Sequence, residues 1–127
     1  MVSFEAFRAI DGTPVYLQII NFIKRGAIAG TIQDGDELPS RRVLSALLGI
    51  NPNTVQKAFH MLEEAHLIES RTGAKSCMTL RPETLDALRR EVLSDELHAM
   101  ARTLRQMGVG RDEALRLIEQ AWEEEKG

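Results

Sequence analysis

Apolar side chains recur every three or four residues between positions 16 and 27, which is the period of a helix that buries one face. Thr13 and Pro14 suit the N-cap and the first helical position of this helix, and Gly30 suits its end. Residues 1–12 have weaker periodicity and are expected to form a short arm. The apolar positions of this first predicted helix are Tyr16, Ile19, Ile20, Ile23 and Ala27.

Two short helices with a tight turn between them are predicted next. Ser40 suits the N-cap of the second helix, and Gly49 suits its end because glycine tolerates the left-handed conformation there. Asn51 then suits the N-cap of a third helix, with Pro52 in its first turn. A short helix, a turn with glycine and a polar-faced helix form the helix-turn-helix pattern. The predicted core positions are Val43, Leu44, Leu47 and Leu48 in the second helix and Val55, Ala58, Phe59 and Leu62 in the third.

A β-hairpin wing is predicted after the third helix. Residues 67–71 and 76–80 favour two short strands, and Gly73 supplies the positive φ of the tip between them. Cys77 alternates inward on the second strand as a small core residue, and a single cysteine excludes an internal disulfide. The predicted fold class is therefore mainly α with a small β-hairpin, with a winged helix-turn-helix domain over residues 1–80.

Residues 81–127 are predicted to form a tail of two helices. Pro82 suits the first turn, residues 108–110 break the helix, and Asp112 places favourable charge at the start of the next one. Two such helices cannot bury both faces alone, so their apolar stripes form either core against the winged domain or a dimer contact. The candidate dimerisation residues are Leu93, Leu97, Met100, Leu104, Leu115, Ile118 and Trp122.

Charge is distributed unevenly along the chain. Its 16 basic and 19 acidic residues give a formal net charge of −3, and the whole excess of acid lies in residues 81–127. Residues 38–62 and 70–82 contain cations and no acid. Such a local basic footprint is typical of a nucleic-acid surface, with a merely solvated face as the alternative. The cations of these two windows are Arg41, Arg42, Lys57, Arg71, Lys75 and Arg81.

The polar face of the third helix suits contact with double-stranded DNA. The amides of Asn53 and Gln56 suit adenine, and Thr54 suits a phosphate or a thymine methyl group. Lys57 on the same face suits a phosphate. The hairpin adds a second group of candidates for phosphate or minor-groove contact. These are Arg71, Thr72, Gly73 and Lys75.

Two arginines stand where a helix disfavours them. Arg41 and Arg42 occupy the first turn of the second helix, where the helix dipole opposes each cation by roughly 0.3–1 kcal/mol. A DNA phosphate would offset this cost, and so would Asp34 or Asp36 nearby. Both arginines are therefore candidate DNA contacts.

The sequence contains no pattern typical of catalysis. The three histidines lie too far apart for a spaced metal set, and no nucleophile arrangement, phosphate loop or catalytic pair of carboxylates is present. We expect no enzyme activity, no metal and no cofactor. No apolar run approaches the ~18 residues of a membrane span and no signal peptide is present, so a cytoplasmic protein without membrane contact is expected.

Beyond these patterns, the chain resembles the GntR family of bacterial transcription regulators. The resemblance covers PVYLQI from Pro14, the segment LPSRRVLSALLGINPNTVQKAFHMLEEAHLI and the wing RTGAKSCMTL. GINPNTVQKAF and the short tail are similar to the YtrA-type subfamily. The resemblance implies that Arg42 contacts DNA and that the tail forms a dimer. It also implies a target gene class, because regulators of this subfamily often control transporter operons. It places the base-reading positions at Asn53, Thr54 and Gln56.

Three residues depart from the family's pattern. His66 stands where the family usually has glycine, so it must either take or avoid a left-handed conformation. Lys75 replaces the second glycine of the wing and adds charge there, and Pro52 replaces a residue that is often arginine. The departures at His66 and Lys75 concern the DNA contacts of the wing rather than the fold.

The expected protein is a homodimeric, sequence-specific transcription regulator, a repressor that binds a pseudo-palindromic operator. In this interpretation residues 81–127 form a helical dimerisation domain that could also hold an effector, whose identity is unknown. Two other functions fit the same patterns. One is a regulator that senses a small molecule between the tail and the DNA-binding domain, and the other is a winged-helix module for protein interaction.

Overall fold

The computed structural model describes residues 1–71 and 75–125. The described part is mainly helical with one two-stranded hairpin, which confirms the predicted fold class. The chain divides into two compact units, Met1–Arg89 and Arg90–Gly127, and this division falls inside a helix. The elements are α1 (Val15–Ala29), α2 (Arg41–Leu48), α3 (Pro52–Glu64), β1 (Ile68–Arg71), β2 (Lys75–Met78), α4 (Pro82–Gln106) and α5 (Arg111–Glu124).

The caps of the helix-turn-helix are those that the sequence predicts. The Ser40 hydroxyl accepts a hydrogen bond from the Val43 N–H at 3.1 Å, at the start of α2. The Asn51 side-chain oxygen accepts one from the Asn53 N–H at 2.8 Å, at the start of α3. Between them, Gly49 ends α2 with φ +66°, a conformation in which most side chains are strained.

The predicted start of α1 is wrong by one residue. Pro14 is the N-cap rather than the first helical residue, and Thr13 does not cap the helix. The Gln18 side chain accounts for the difference, because its amide donates to the carbonyls of Thr13 and Ile10 and its oxygen accepts from the Ile10 N–H. These three bonds fold the end of the arm back onto α1.

The core of the first unit lies where α1 and α2 pack against α3. The predicted buried face of α3 is confirmed, with Phe59 and Leu62 almost completely inaccessible. Ile19 and Ile23 of α1 are fully buried, as is Leu44 of α2. Packing of these apolar faces holds α3 in place, since short helices are marginal on their own.

The N-terminal arm belongs to this core, although the weak periodicity of its sequence predicts only a short arm. Val2, Phe4 and Phe7 are buried. The Phe4 ring stacks on Phe22 of α1 with centroids 5.2 Å apart, and Phe7 meets the same ring edge-on at 5.5 Å. The Val2 N–H also donates to the Glu37 carbonyl at 2.7 Å, so the arm is fixed at both ends.

The predicted core face of α2 is partly wrong. Val43 is 54% exposed and Leu47 is 66% exposed, whereas Leu44 is buried as predicted. The apolar stripe of this eight-residue helix is wider than the contact that α3 offers, so Val43, Leu47 and the half-buried Leu48 line an open groove beside the arm. Ser45 is buried instead, and its hydroxyl satisfies the Ile50 carbonyl at 2.6 Å.

The wing is an antiparallel pair in which Ile68 lies opposite Met78. β2 is also bonded to the segment before α2, since the Leu38 N–H donates to the Ser76 carbonyl at 2.9 Å and the Met78 N–H donates to the Asp36 carbonyl at 2.8 Å. The strands are slightly shorter than predicted, and Cys77 is buried as expected. The predicted tip spans residues 72–75, but Lys75 is the first residue of β2, because it pairs with Arg71 across the hairpin. The other three tip residues lie outside the described residues.

The second unit contains the C-terminal part of α4, a turn and α5. The turn occurs where it is predicted, with Gly108 at φ +79°, and Asp112 and Glu113 lie in the first turn of α5. None of residues 90–125 is buried. No helix among the described residues is long and apolar enough to cross a membrane. The exposed large apolar side chains of this unit are Leu93, Leu97, Met100, Met107, Leu115, Leu117, Ile118 and Trp122.

Candidate nucleic-acid interface

The outer face of α3 is polar and accessible. Asn53 and Gln56 are exposed, and Thr54 is half-buried near the N-terminus of the helix. Val55 and Phe59, on the opposite face, anchor the helix in the core. This arrangement suits a recognition helix, because base edges in the major groove are met by amide side chains on a rigid element.

Lys57 on α3 is held by an aromatic ring of α1. Its Nζ atom lies 4.1 Å from the centroid of the Tyr16 ring, a cation–π contact worth about 0.5–1 kcal/mol at an exposed site. Lys57 is exposed, so its ammonium group keeps access to a partner while the ring restricts its position. The contact links the beginning of α1 to the polar face of α3.

Arg41 is paired within the chain. Its Nη2 atom lies 2.9 Å from Oε1 of Glu63 at the end of α3, and its guanidinium carbon lies 5.2 Å from the Phe59 ring centroid. Glu63 therefore offsets the charge of Arg41 at the start of α2. Asp34 and Asp36, which the sequence suggests for this role, accept backbone N–H groups of Leu80 and Gln33 instead.

Arg42, by contrast, is exposed at the same helix terminus. It makes no hydrogen bond or ion pair with residues 1–71 or 75–125. Of the two neighbouring arginines, Arg42 is thus the one whose guanidinium is available to an anion. This agrees with the role that the sequence resemblance implies for it.

The two wing cations that the structure describes have acidic neighbours. Lys75 Nζ lies 3.3 Å from Oε2 of Glu37, and Arg71 Nη2 lies 3.5 Å from Oε1 of Glu69. All four side chains are exposed, and exposed ion pairs contribute only about 0–1 kcal/mol. A phosphate can therefore replace either carboxylate at small cost. The other two predicted wing residues, Thr72 and Gly73, lie outside the described residues.

His66, which stands where the family usually has glycine, takes the left-handed conformation rather than avoiding it. It has φ +61° and so adopts the left-handed conformation that glycine would take more easily. The chain reverses here between α3 and β1, with the Leu67 N–H donating to the Leu62 carbonyl at 3.0 Å. The wing consequently follows α3 directly, as a winged helix-turn-helix requires.

Glu63, Glu37 and Tyr16 also belong to this surface, although no sequence pattern indicates it. Glu63 lies 22 residues from Arg41, and no local spacing connects them. Tyr16 carries a helix-period signal that indicates core, which hides the contact of its ring with Lys57. Residues that adjust the charge of a site from another element leave no periodic signal in the sequence.

Comparison with known proteins identifies the family. The profile of the family described as "Bacterial regulatory proteins, gntR family" matches residues 15–75, which contain α1, the helix-turn-helix and most of the described wing. The chain thus carries a GntR-family sequence over residues 15–75. It is accordingly a helix-turn-helix transcriptional regulator of a family that acts by binding DNA.

Three comparisons illustrate the place of this GntR-family chain. The HTH-type transcriptional repressor YtrA of Bacillus subtilis (strain 168) is 43% identical over 63 residues, 50% of this chain and 48% of YtrA. The regulator YhcF of the same organism is 28% identical over 102 residues, 80% of this chain and 84% of YhcF. A GntR family transcriptional regulator from Listeria monocytogenes has a TM-score of 0.80 at 25% identity, covering 88% of this chain and 98% of the other. The similarity to YtrA supports the YtrA-type subfamily, although the matched segment spans only about half of YtrA.

Proposed function

We propose that this GntR-family regulator binds a pseudo-palindromic operator as a homodimer and represses transcription. Two observations together carry the proposal: α3 has an exposed amide face, and the exposed Arg42 of α2 makes no hydrogen bond or ion pair within residues 1–71 and 75–125. An amide face reads base edges, and an available arginine neutralises phosphate. The two features lie on elements that pack against each other in one core.

The proposed contacts divide into reading and positioning. Asn53 and Gln56 read bases, while Thr54 meets a phosphate or a thymine methyl group. The remaining proposed contacts are sequence-independent and neutralise or approach the backbone. They come from Arg42, Lys57, Arg71, Thr72, Gly73 and Lys75.

We assign dimerisation to the tail of residues 81–127. None of residues 90–125 is buried, and eight large apolar side chains of this segment are exposed to solvent. Burying each large apolar side chain contributes roughly 1.5–3 kcal/mol, and several pairs can exceed an association cost of about 4–15 kcal/mol. A second copy of the same tail supplies matching stripes, which gives a two-fold symmetric contact.

Two-fold symmetry also explains how a small domain achieves specificity. One recognition helix contacts three or four bases, which is too few to select one site in a genome. Two copies related by a dyad read two inverted half-sites. Repression is favoured by the similarity to YtrA, which is named a repressor. A dimer bound to its operator can repress because it excludes other proteins from that DNA. The resemblance to the YtrA-type subfamily favours a transporter operon as the target.

Selection of DNA from a random pool by the purified full chain tests the proposal. We expect an enriched inverted repeat whose half-sites lie about one helical turn, or a multiple of it, apart. Transcription from a promoter that carries the repeat should then fall on addition of the protein. A pool without enrichment would contradict sequence-specific binding and favour a module for protein interaction, and a single half-site would contradict the dimer.

A further inference from the structure

One carboxylate joins three elements of the proposed DNA surface. Oε1 of Glu63, in the last turn of α3, accepts a hydrogen bond from Nη2 of Arg41 at 2.9 Å. The same oxygen accepts one from the Ser70 hydroxyl at 3.2 Å. Glu63 thereby connects the first turn of α2, the end of α3 and strand β1 of the wing.

The contact with Glu63 determines where the Arg41 side chain lies. Arg41 is packed over the Phe59 ring, its Nε atom is buried, and only 31% of its side chain is accessible. Arg42, the next residue in the same turn, is exposed. Of two adjacent arginines at one helix terminus, Glu63 thus withdraws one and leaves the other available.

The contact with Ser70 acts on the wing. β2 is held by backbone bonds to the segment before α2, through Leu38 and Asp36. β1 receives a separate tether from Glu63 through Ser70, one residue before the proposed phosphate contact Arg71. β2 is therefore tied to the segment that precedes α2, and β1 is tied to the end of α3.

We propose that Glu63 is a positioning residue for DNA binding. It restrains Arg41, so that Arg42 alone meets the phosphates at the start of α2, and it fixes the wing relative to the recognition helix. This inference rests on the proposed function, because the restraint on Arg41 matters only if this surface binds DNA. Its consequence is that removing the Glu63 charge adds a sequence-independent contact and lowers discrimination between operator and other DNA.

Glu63→Gln tests the restraint, with Glu64→Gln as the matched control. Both variants remove one negative charge from adjacent positions of α3, but Glu64 contacts His60 rather than an arginine. We expect Glu63→Gln to steepen the log–log salt dependence of binding to non-operator DNA by about 1, since one more phosphate is neutralised. Glu64→Gln should leave that slope at the wild-type value. In an Arg41→Gln background, Glu63→Gln should no longer change it.

Equal slopes for Glu63→Gln and Glu64→Gln would overturn the restraint on Arg41. A wild-type chain that shows no salt-dependent DNA binding would instead refute the proposed function. In that case the hydrogen bond between Glu63 and Ser70 of the wing is tested on the free protein by amide hydrogen exchange. Ser70→Ala and Glu63→Ala should each accelerate exchange in β1 severalfold over Glu64→Ala, with α1 unchanged. The positioning role would be overturned if Ser70→Ala and Glu63→Ala exchanged β1 amides no faster than Glu64→Ala does. It would also be overturned if exchange in α1 rose as much as exchange in β1.

Discussion

Lys75, the first residue of β2, forms an ion pair with Glu37, whose carboxylate lies 3.3 Å from its ammonium nitrogen. Glu37 precedes α2, and its backbone forms an isolated bridge to Cys77 of the wing. A carboxylate is thus fixed next to a cation that we assign to DNA. Phosphate and Glu37 compete for the same ammonium group.

Glu37→Gln should therefore strengthen DNA binding. An exposed pair contributes about 0.2–1 kcal/mol, so removing the competitor should raise affinity roughly 1.5- to 5-fold. Fluorescence anisotropy with a labelled operator measures this change. Lys75→Ala should weaken binding and reduce the salt slope by about 1. Because the effect acts through Lys75, Glu37→Gln in the Lys75→Ala background should change affinity much less, and an undiminished gain there would show that Glu37 acts on DNA directly.

Gln56→Ala tests base reading by α3. Gln56 is exposed and contributes nothing to the core, so the variant should keep the stability of the parent. If the amide contacts adenine through two hydrogen bonds, its loss should cost roughly 1–3 kcal/mol at one base pair of each half-site. Binding to operators substituted one position at a time measures the preference. Uniform weakening across all these operators would place Gln56 on the backbone instead.

Local chemistry explains which parts of the fold the sequence predicts well. Ser40 and Asn51 cap helices through atoms within three residues of themselves, so their role follows from short spacing. The helical period likewise predicts the buried face of α3. Val43 and Leu47 are mispredicted because periodicity shows which face is apolar and not how much of it a neighbour covers.

Long-range contacts are what the sequence does not predict. Phe4 is buried because Phe22 of α1 stacks on it, and nothing within the arm indicates that partner. Glu63 finds Arg41 across 22 residues for the same reason. Within the interface, residue type and helix position predict the amide face of α3, and they mark Arg41 and Arg42 as candidates without distinguishing the exposed one from the paired one. The acidic residues that modulate the cations became visible only in the folded chain.

Phe4→Ala should destabilise the first unit strongly. The ring is buried and stacks on Phe22 with centroids 5.2 Å apart, so its truncation leaves a cavity in the core. Such substitutions cost about 3–5 kcal/mol, which urea denaturation followed by circular dichroism measures directly. Ile10→Ala is the matched control, because Ile10 lies in the same arm but is 67% exposed. Its loss should change stability by no more than about 0.5 kcal/mol. Equal effects of the two variants would mean that the arm is not part of the core in solution.

Introducing negative charge into the apolar stripe of α4 should separate the dimer into monomers. Leu97 is 60% exposed and Leu104 is half-buried, one heptad apart on the same side of α4. Leu97→Glu with Leu104→Glu would bury four carboxylates in a symmetric interface, and unpaired buried charges are too costly for association to persist. Because neither side chain belongs to the core of the first unit, the variant should fold and lose specific DNA binding.

Ala99→Glu with Gln106→Glu provides the control for that variant. These two residues are also one heptad apart on α4 and exposed, and the pair adds the same two negative charges on the opposite side of the helix. Sedimentation velocity should show a dimer for this control and a monomer for the stripe variant, with similar helical circular dichroism for both. A stripe variant that remains dimeric would place the subunit contact elsewhere. If it is monomeric yet binds the full operator as tightly as the parent, specificity does not depend on two linked recognition helices.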